Sequence, residues 1–155
     1  MSDTTGIADG LDAILAAHDG VEGALLPILH AVQATFGHIP DEALPRIARH
    51  QMISRAEVWG VLTFYHDFRT RPAGRHVLKL CRAESCQAMG AAALADHARA
   101  RLGIDWHGTT PDGQVTLEPV FCLGLCACGP AAMLDGQVAG RVDPARLDRM
   151  IGELA

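Results

Sequence analysis

The five cysteines carry the chemistry this sequence can do, and their spacing divides them. Cys81 and Cys86 form a C-x4-C pair in LCRAESCQ. After 35 intervening residues, Cys122 and Cys126 form a C-x3-C pair in FCLGLCACGP, with Cys128 two positions on. A thiolate can act as a nucleophile, a redox group or a soft metal ligand. Four that converge can hold a [2Fe–2S] unit, which takes two cysteine sulfurs on each iron. Structural zinc on four cysteines usually shows tighter C-x2-C knuckles. A redox dithiol of the C-x-x-C kind is absent. Simple packing accounts for one buried cysteine, not for two spaced pairs. The spacing departs from the plant-type ferredoxin run C-x4-C-x2-C. A [2Fe–2S] cluster is therefore the best physical reading, with a zinc-stapled interaction module as the competing one.

Convergence depends on the elements that carry the pairs. HVLKLC alternates like a strand ending on Cys81, and VTLEPVFC is a second strand that leads to Cys122. If these two strands are neighbours, their loops leave the sheet at one end and the thiols meet. CQAMGAAALADHARARLG reads as one alanine-rich helix from Cys86 to about Leu102, stopped by Gly103. AAMLDGQVAGRV reads as two short strands around an Asp135-Gly136 turn. Asp143-Pro144 starts a last amphipathic helix with Leu147, Met150, Ile151 and Leu154 on its inner face. Near the thiols, Gly124 allows a tight loop whose N–H groups can point at sulfur. Leu123, Leu125 and Met89 are candidates to screen the site from water.

The first half reads as three or four short helices. Ile7 to Ala17 places Ile7, Leu11, Ile14 and Leu15 on one face. VEGALLPILHAVQATFG repeats apolar residues at helical spacing and ends at Gly37. A third helix starts at Pro40-Asp41-Glu42, and a fourth at Ser54, with Glu57 at capping-box distance. RTRPAGRH, residues 69–76, is a turn-rich basic linker.

Whole-chain properties narrow the function classes. The chain has 155 residues, is 49% hydrophobic and carries a formal charge of −5 with its acids dispersed, so no nucleic-acid footprint is visible. No apolar run approaches the roughly 20 residues needed to span a bilayer, and the N-terminus lacks the basic and apolar regions of a secretory signal. A cytoplasmic location is expected, where disulfides are rare. Eight histidines, at 18, 30, 38, 50, 66, 76, 97 and 107, show no ligand spacing. Thr63–Phe68 is the one aromatic cluster, read as a helix end packing on the second half or as a partner contact. No catalytic residue is read on this chain.

ALLPILHAVQATFGHIPDEAL, EVWGVLTFYHDF, CRAESCQAMG and TTPDGQVTLEPVFCLGLCACGPAAMLDG together resemble the small [2Fe–2S] subunit of NADH-oxidising complexes. That family includes the 24-kDa-type subunit of complex I and equivalents in NAD-reducing hydrogenases and soluble NAD-dependent formate dehydrogenases. CRAESCQAMG most resembles the formate dehydrogenase gamma subunit. The resemblance implies an α/β fold in which an N-terminal helical bundle (1–74) precedes a thioredoxin-like [2Fe–2S] ferredoxin domain (75–155). It implies Cys81, Cys86, Cys122 and Cys126 as cluster ligands, with Cys128 outside the set. It also implies an electron-transfer role within an oxidoreductase. The partners would be a subunit carrying FMN, the NAD site and a [4Fe–4S] cluster, and a molybdenum- or tungsten-containing formate-oxidising subunit.

Overall fold

The computed structural model describes residues 3–154, with side chains from residue 7 onward. The chain divides between Pro72 and Ala73 into two compact units.

The first unit is helical: α1 (Asp3–Ala17), α2 (Leu25–Phe36), α3 (Leu44–His50) and α4 (Arg55–Phe64). Its core joins Leu11, Ile28, Leu29, Val32, Ile39, Leu44, Ile47 and Val58, all essentially inaccessible to solvent. Helix α2 stops where Gly37 enters the left-handed region at φ 76° and its N–H bonds back to Gln33. The expected helix start at Pro40-Asp41-Glu42 is instead a 3-10 turn, Asp41–Ala43, which runs into α3. Pro45 explains this. It has no N–H to return to Asp41, so Leu44 makes the shorter bond to the Asp41 carbonyl and the α-helix starts after it. Ser54 and Glu57 form the reciprocal capping box at the head of α4. Ser54→Ala should lower unfolding stability by about 1 kcal/mol, since it leaves the Glu57 N–H without its partner. A denaturant titration of the two proteins at equal pH reads this directly. In the aromatic cluster, Phe68 turns into the helical core beside His30, whereas Phe64 and Tyr65 lie exposed and edge to face.

The second unit is a mixed sheet with helices: β1 (His76–Cys81), α5 (Glu84–Ala88), α6 (Ala91–Leu102), β2 (Val115–Val120), β3 (Ala132–Leu134), β4 (Gln137–Ala139) and α7 (Pro144–Gly152). The strand order is β2-β1-β3-β4. Strands β1 and β2 run parallel, in register from His76 opposite Val115 to Cys81 opposite Val120. They are joined by a helical crossover, as a parallel pair requires. Leu78, Leu80, Val115 and Leu117 pack with Leu94 and Ala98 of α6 and Leu147 of α7 into the second core. The chain's one lysine, Lys79, stands opposite Glu118 with Nζ 3.6 Å from a carboxylate oxygen, both side chains largely buried.

Two sequence expectations need correction here. The helix expected from Cys86 to Leu102 is two helices, because Gly90 takes φ 95° and breaks the run between α5 and α6. Strand β2 ends at Val120, so Phe121 and Cys122 belong to the following loop. Pro119 has no N–H for a strand ladder, and the chain turns away just past it.

The Asp135-Gly136 turn is as expected, with both residues at positive φ, 48° and 85°, between paired Leu134 and Gln137. The Asp135 carboxylate also ties the turn to β1. One oxygen accepts from the Val77 N–H at 2.8 Å and the other lies 2.7 Å from His76 Nδ1. Burial pushes this carboxyl upward, but the hydrogen bonds from His76 and Val77 outweigh it and hold it below the usual aspartate range. A folded-state pKa below the unfolded value, about 3.9, gives stability that is complete above that value. The stability is lost as pH falls through the lowered one. The half-exposed carboxylate keeps the contribution to about 1 kcal/mol or less. Thermal melts from pH 6 down to pH 3 should therefore fall more steeply for the native chain than for Asp135→Asn.

Candidate metal centre

Because β1 and β2 are parallel neighbours, the loops after Cys81 and after Val120 leave the sheet at the same end. The first loop folds at once into α5, which places Cys86 back beside the strand end. Cys81 and Cys86 are both 2% exposed and form a small apolar nest with Ala91 and Ala131. Val120, Leu123 and Leu125 pack against that nest, as expected of the last two. The second loop carries Cys122 and Cys126 at the surface, their sulfurs 3.9 Å apart.

Hydrogen bonds hold the loops together. Cys81 N–H donates to Ala131, Arg82 N–H to Val120, and the Ser85 hydroxyl reaches the Cys126 carbonyl at 2.9 Å. Gly124, at φ 76°, turns its N–H onto the Cys122 sulfur at 3.3 Å, the kind of N–H···S bond that the glycine suggested. Cys122 itself is held at φ 152°, a value that L-residues seldom adopt. Gly129 comes close to the site. A Cβ there would lie 3.1 Å from the Met89 sulfur and 3.4 Å from that of Cys86, so the thioether does stand beside a thiol.

Two of the thiols, Cys86 and Cys126, are shifted by their neighbours. Burial pushes the Cys86 thiol up, and the neighbouring Cys81 and Cys126 sulfurs add to this against a lowering bond from Ala131. The Cys126 thiol is pushed up first by its contact with Cys122, and Cys81 contributes through space. Four thiolates at this spacing repel one another, so a full anionic set needs cationic metal among it. Among the described residues no three His, Cys, Asp or Glu side chains gather around one point as a single ion would ask. The thiols instead come as pairs, and a two-iron cluster uses two sulfurs per iron. The side chains packed around the buried pair are apolar, so thiolates are the donors the nest offers, and this soft donor set fits the cluster.

Cys128 lies apart in its contacts. It ends a 3-10 turn, Cys126–Cys128, and packs on Gly140, whose would-be Cβ lies 2.9 Å from that of Cys128. The structure thus brings Cys81, Cys86, Cys122 and Cys126 to one end of the sheet, and packs Cys128 on Gly140, just past β4.

Thiol pairs after two parallel strands of a small mixed sheet define a thiolate metal protein. The chain belongs to the thioredoxin-like [2Fe–2S] ferredoxin family, whose model matches residues 11–155, and that family carries one [2Fe–2S] cluster. It is similar to a subunit of the NADH-quinone oxidoreductase of Rhizobium meliloti (strain 1021), 37% identical over 91% of this chain and 84% of that protein. It is also similar to the HndA subunit of the NADP-reducing hydrogenase of Solidesulfovibrio fructosivorans, 33% identical over 85% and 77% respectively. In three dimensions it resembles part of an NAD+-reducing [NiFe]-hydrogenase crystallised in the air-oxidized state. The TM-score is 0.71 and the identity 28% over 84% of this chain, which spans 22% of that longer one. No described helix is long and apolar enough to cross a membrane.

Proposed function

We propose that this chain is the electron-transfer subunit of a cytoplasmic NAD-dependent formate dehydrogenase, with one [2Fe–2S] cluster held by Cys81, Cys86, Cys122 and Cys126. The observation that carries the reading is the pairing of buried Cys81 and Cys86 with exposed Cys122 and Cys126 at one sheet end. When bound, such a cluster supplies storage for one electron at a time. The protein's part is to bind it, to bury one side in the Ala91, Ala131 and Val120 nest, and to donate the Gly124 N–H to a sulfur. Phe121, next to Cys122, and Met89, near Cys86, are exposed and would offer a partner its approach to the site.

The relatives' names divide between NADH-quinone oxidoreductases and nucleotide-reducing hydrogenases, which supports a partner that binds NAD; its flavin and [4Fe–4S] cluster follow from the family resemblance. The CRAESCQAMG run favours formate as the electron source, through a molybdenum- or tungsten-containing subunit. Exposed Phe64 and Tyr65 are a contact surface offered to the flavin subunit. The test is isolation of the native complex through an affinity tag on this chain. The expected result is co-isolation of a flavin subunit and a molybdenum or tungsten subunit, with formate-dependent NAD reduction. A nickel-bearing or quinone-linked assembly in their place would reassign the complex to hydrogenase or complex I.

A further inference from the structure

Three cations described in the second unit sit against carboxylates. Arg99 meets Asp96 and Asp105, Arg101 meets Asp148, and Lys79 meets Glu118. Arg82 is placed differently. It follows Cys81 directly, its N–H is bonded to Val120, and its guanidinium lies 5.3 Å from the centroid of the Trp106 ring. With the Gln87 amide turned so that its oxygen faces the guanidinium, that oxygen accepts from Nε at 3.1 Å and Nη2 at 3.3 Å. Gln87 in turn follows Cys86 directly, so the cation bridges the residues next to the two buried thiols. The ring that carries it is fixed as well. Trp106 packs against the second core, its backbone N–H donates to the Asp105 carboxylate, and the backbone N–H of the next residue, His107, donates to the Leu117 carbonyl of β2. Among the described residues no carboxylate is paired with Arg82; Glu84, the first residue of α5, is exposed and its charge is screened by solvent.

We infer that Arg82 is a positioning residue that sets the reduction potential of this site, a fixed positive charge anchored by a π face and a neutral amide. Either anchor could have been an acid, which would have held the guanidinium as well and cancelled its field. One-electron reduction adds a single negative charge to the site and breaks no bond. An uncancelled cation anchored between the residues that follow the two buried thiols therefore favours the reduced state. The inference rests on the proposed ligand set. Bound iron and sulfide report on that set, and the potential reports on Arg82.

The experiment is an EPR-monitored redox titration of the cluster-loaded chain at low ionic strength, with iron and sulfide measured on each sample. Arg82→Gln is expected to lower the equilibrium constant for one-electron reduction about three- to tenfold, where tenfold is 59 mV. Arg82→Lys, which keeps the charge, is expected to recover most of the difference. Gln87→Glu leaves Arg82 in place and sets a carboxylate against it, and should shift the potential the same way as Arg82→Gln. That variant keeps the test decisive if Arg82→Gln fails to load. The inference is overturned if loaded Arg82→Gln or Gln87→Glu titrates with the native protein. It is also overturned if Arg82→Lys falls as far as Arg82→Gln, which would leave only a clamp on the loop.

Discussion

Serine at Cys81, Cys86, Cys122 or Cys126 is expected to strip bound iron and sulfide from about two of each per chain, while Cys128→Ser keeps both. The alcohol is a poor replacement because it stays protonated at neutral pH and is a harder donor than a thiolate. The four positions should not respond equally. Cys81 and Cys86 are 2% exposed inside an apolar nest, where a serine hydroxyl also needs a hydrogen-bond partner. Cys122 and Cys126 sit in an exposed loop that water reaches and that can adjust. Loss should therefore be complete at 81 and 86, with partial, labile occupancy at 122 and 126. Iron and sulfide analysis together with the visible absorbance of freshly reconstituted protein makes the comparison. Cluster retained in Cys126→Ser but lost in Cys128→Ser would reverse the ligand assignment.

Much of this site was legible because its signals are local. The thiol pairs follow segments with strand patterning, and the Asp135-Gly136 hairpin and the Ser54–Glu57 cap each depend on residues within a few positions. What was missed depends on contacts across the chain. The break at Gly90 was hidden by alanines on both sides, whose helix preference is high whether or not a glycine interrupts them. The end of β2 at Val120 was hidden by Phe121, a good strand residue that the structure leaves exposed. Burial of Lys79 and Glu118 follows from strand register, which no single segment reveals. Arg82 meets a tryptophan 24 positions on, and composition gives no sign of it. The family resemblance leaves Cys128 outside the ligand set, but its main-chain carbonyl accepts from Arg141 and ties the turn to the segment after β4.

That tie is tested at Gly140. A Cβ there would stand 2.8 Å from the Cys128 carbonyl oxygen and 2.9 Å from its Cβ, closer than such atoms approach. Neither neighbour is the free end of a flexible side chain. The two segments are also stitched just after Gly140, by Arg141 N–H to the Cys128 carbonyl at 2.5 Å and Val142 N–H to that of Pro130 at 2.9 Å. Gly140→Ala must therefore push apart the turn that carries Cys126 and the strand end that backs it, at about 1–3 kcal/mol for the overpacking. A weakened hydrogen bond adds about 1 kcal/mol. At about 4–8 °C per kcal/mol for a unit of this size, the melting transition should fall by roughly 10 °C or more, and a loaded cluster should be lost faster to a chelator. Gly124→Ala is the contrasting case. Its Cβ would meet open space, so only the left-handed backbone resists it, at about 1–2 kcal/mol. Combining Gly140→Ala with Cys128→Gly removes the contact with the Cys128 Cβ but not that with its carbonyl, and should recover part of the loss. Cys128→Ser alone should change neither the melt nor the chelator rate. An undisturbed melt in Gly140→Ala would mean that the 126–128 turn can move without cost, and that the backbone of Cys128 does not hold Cys126 in place.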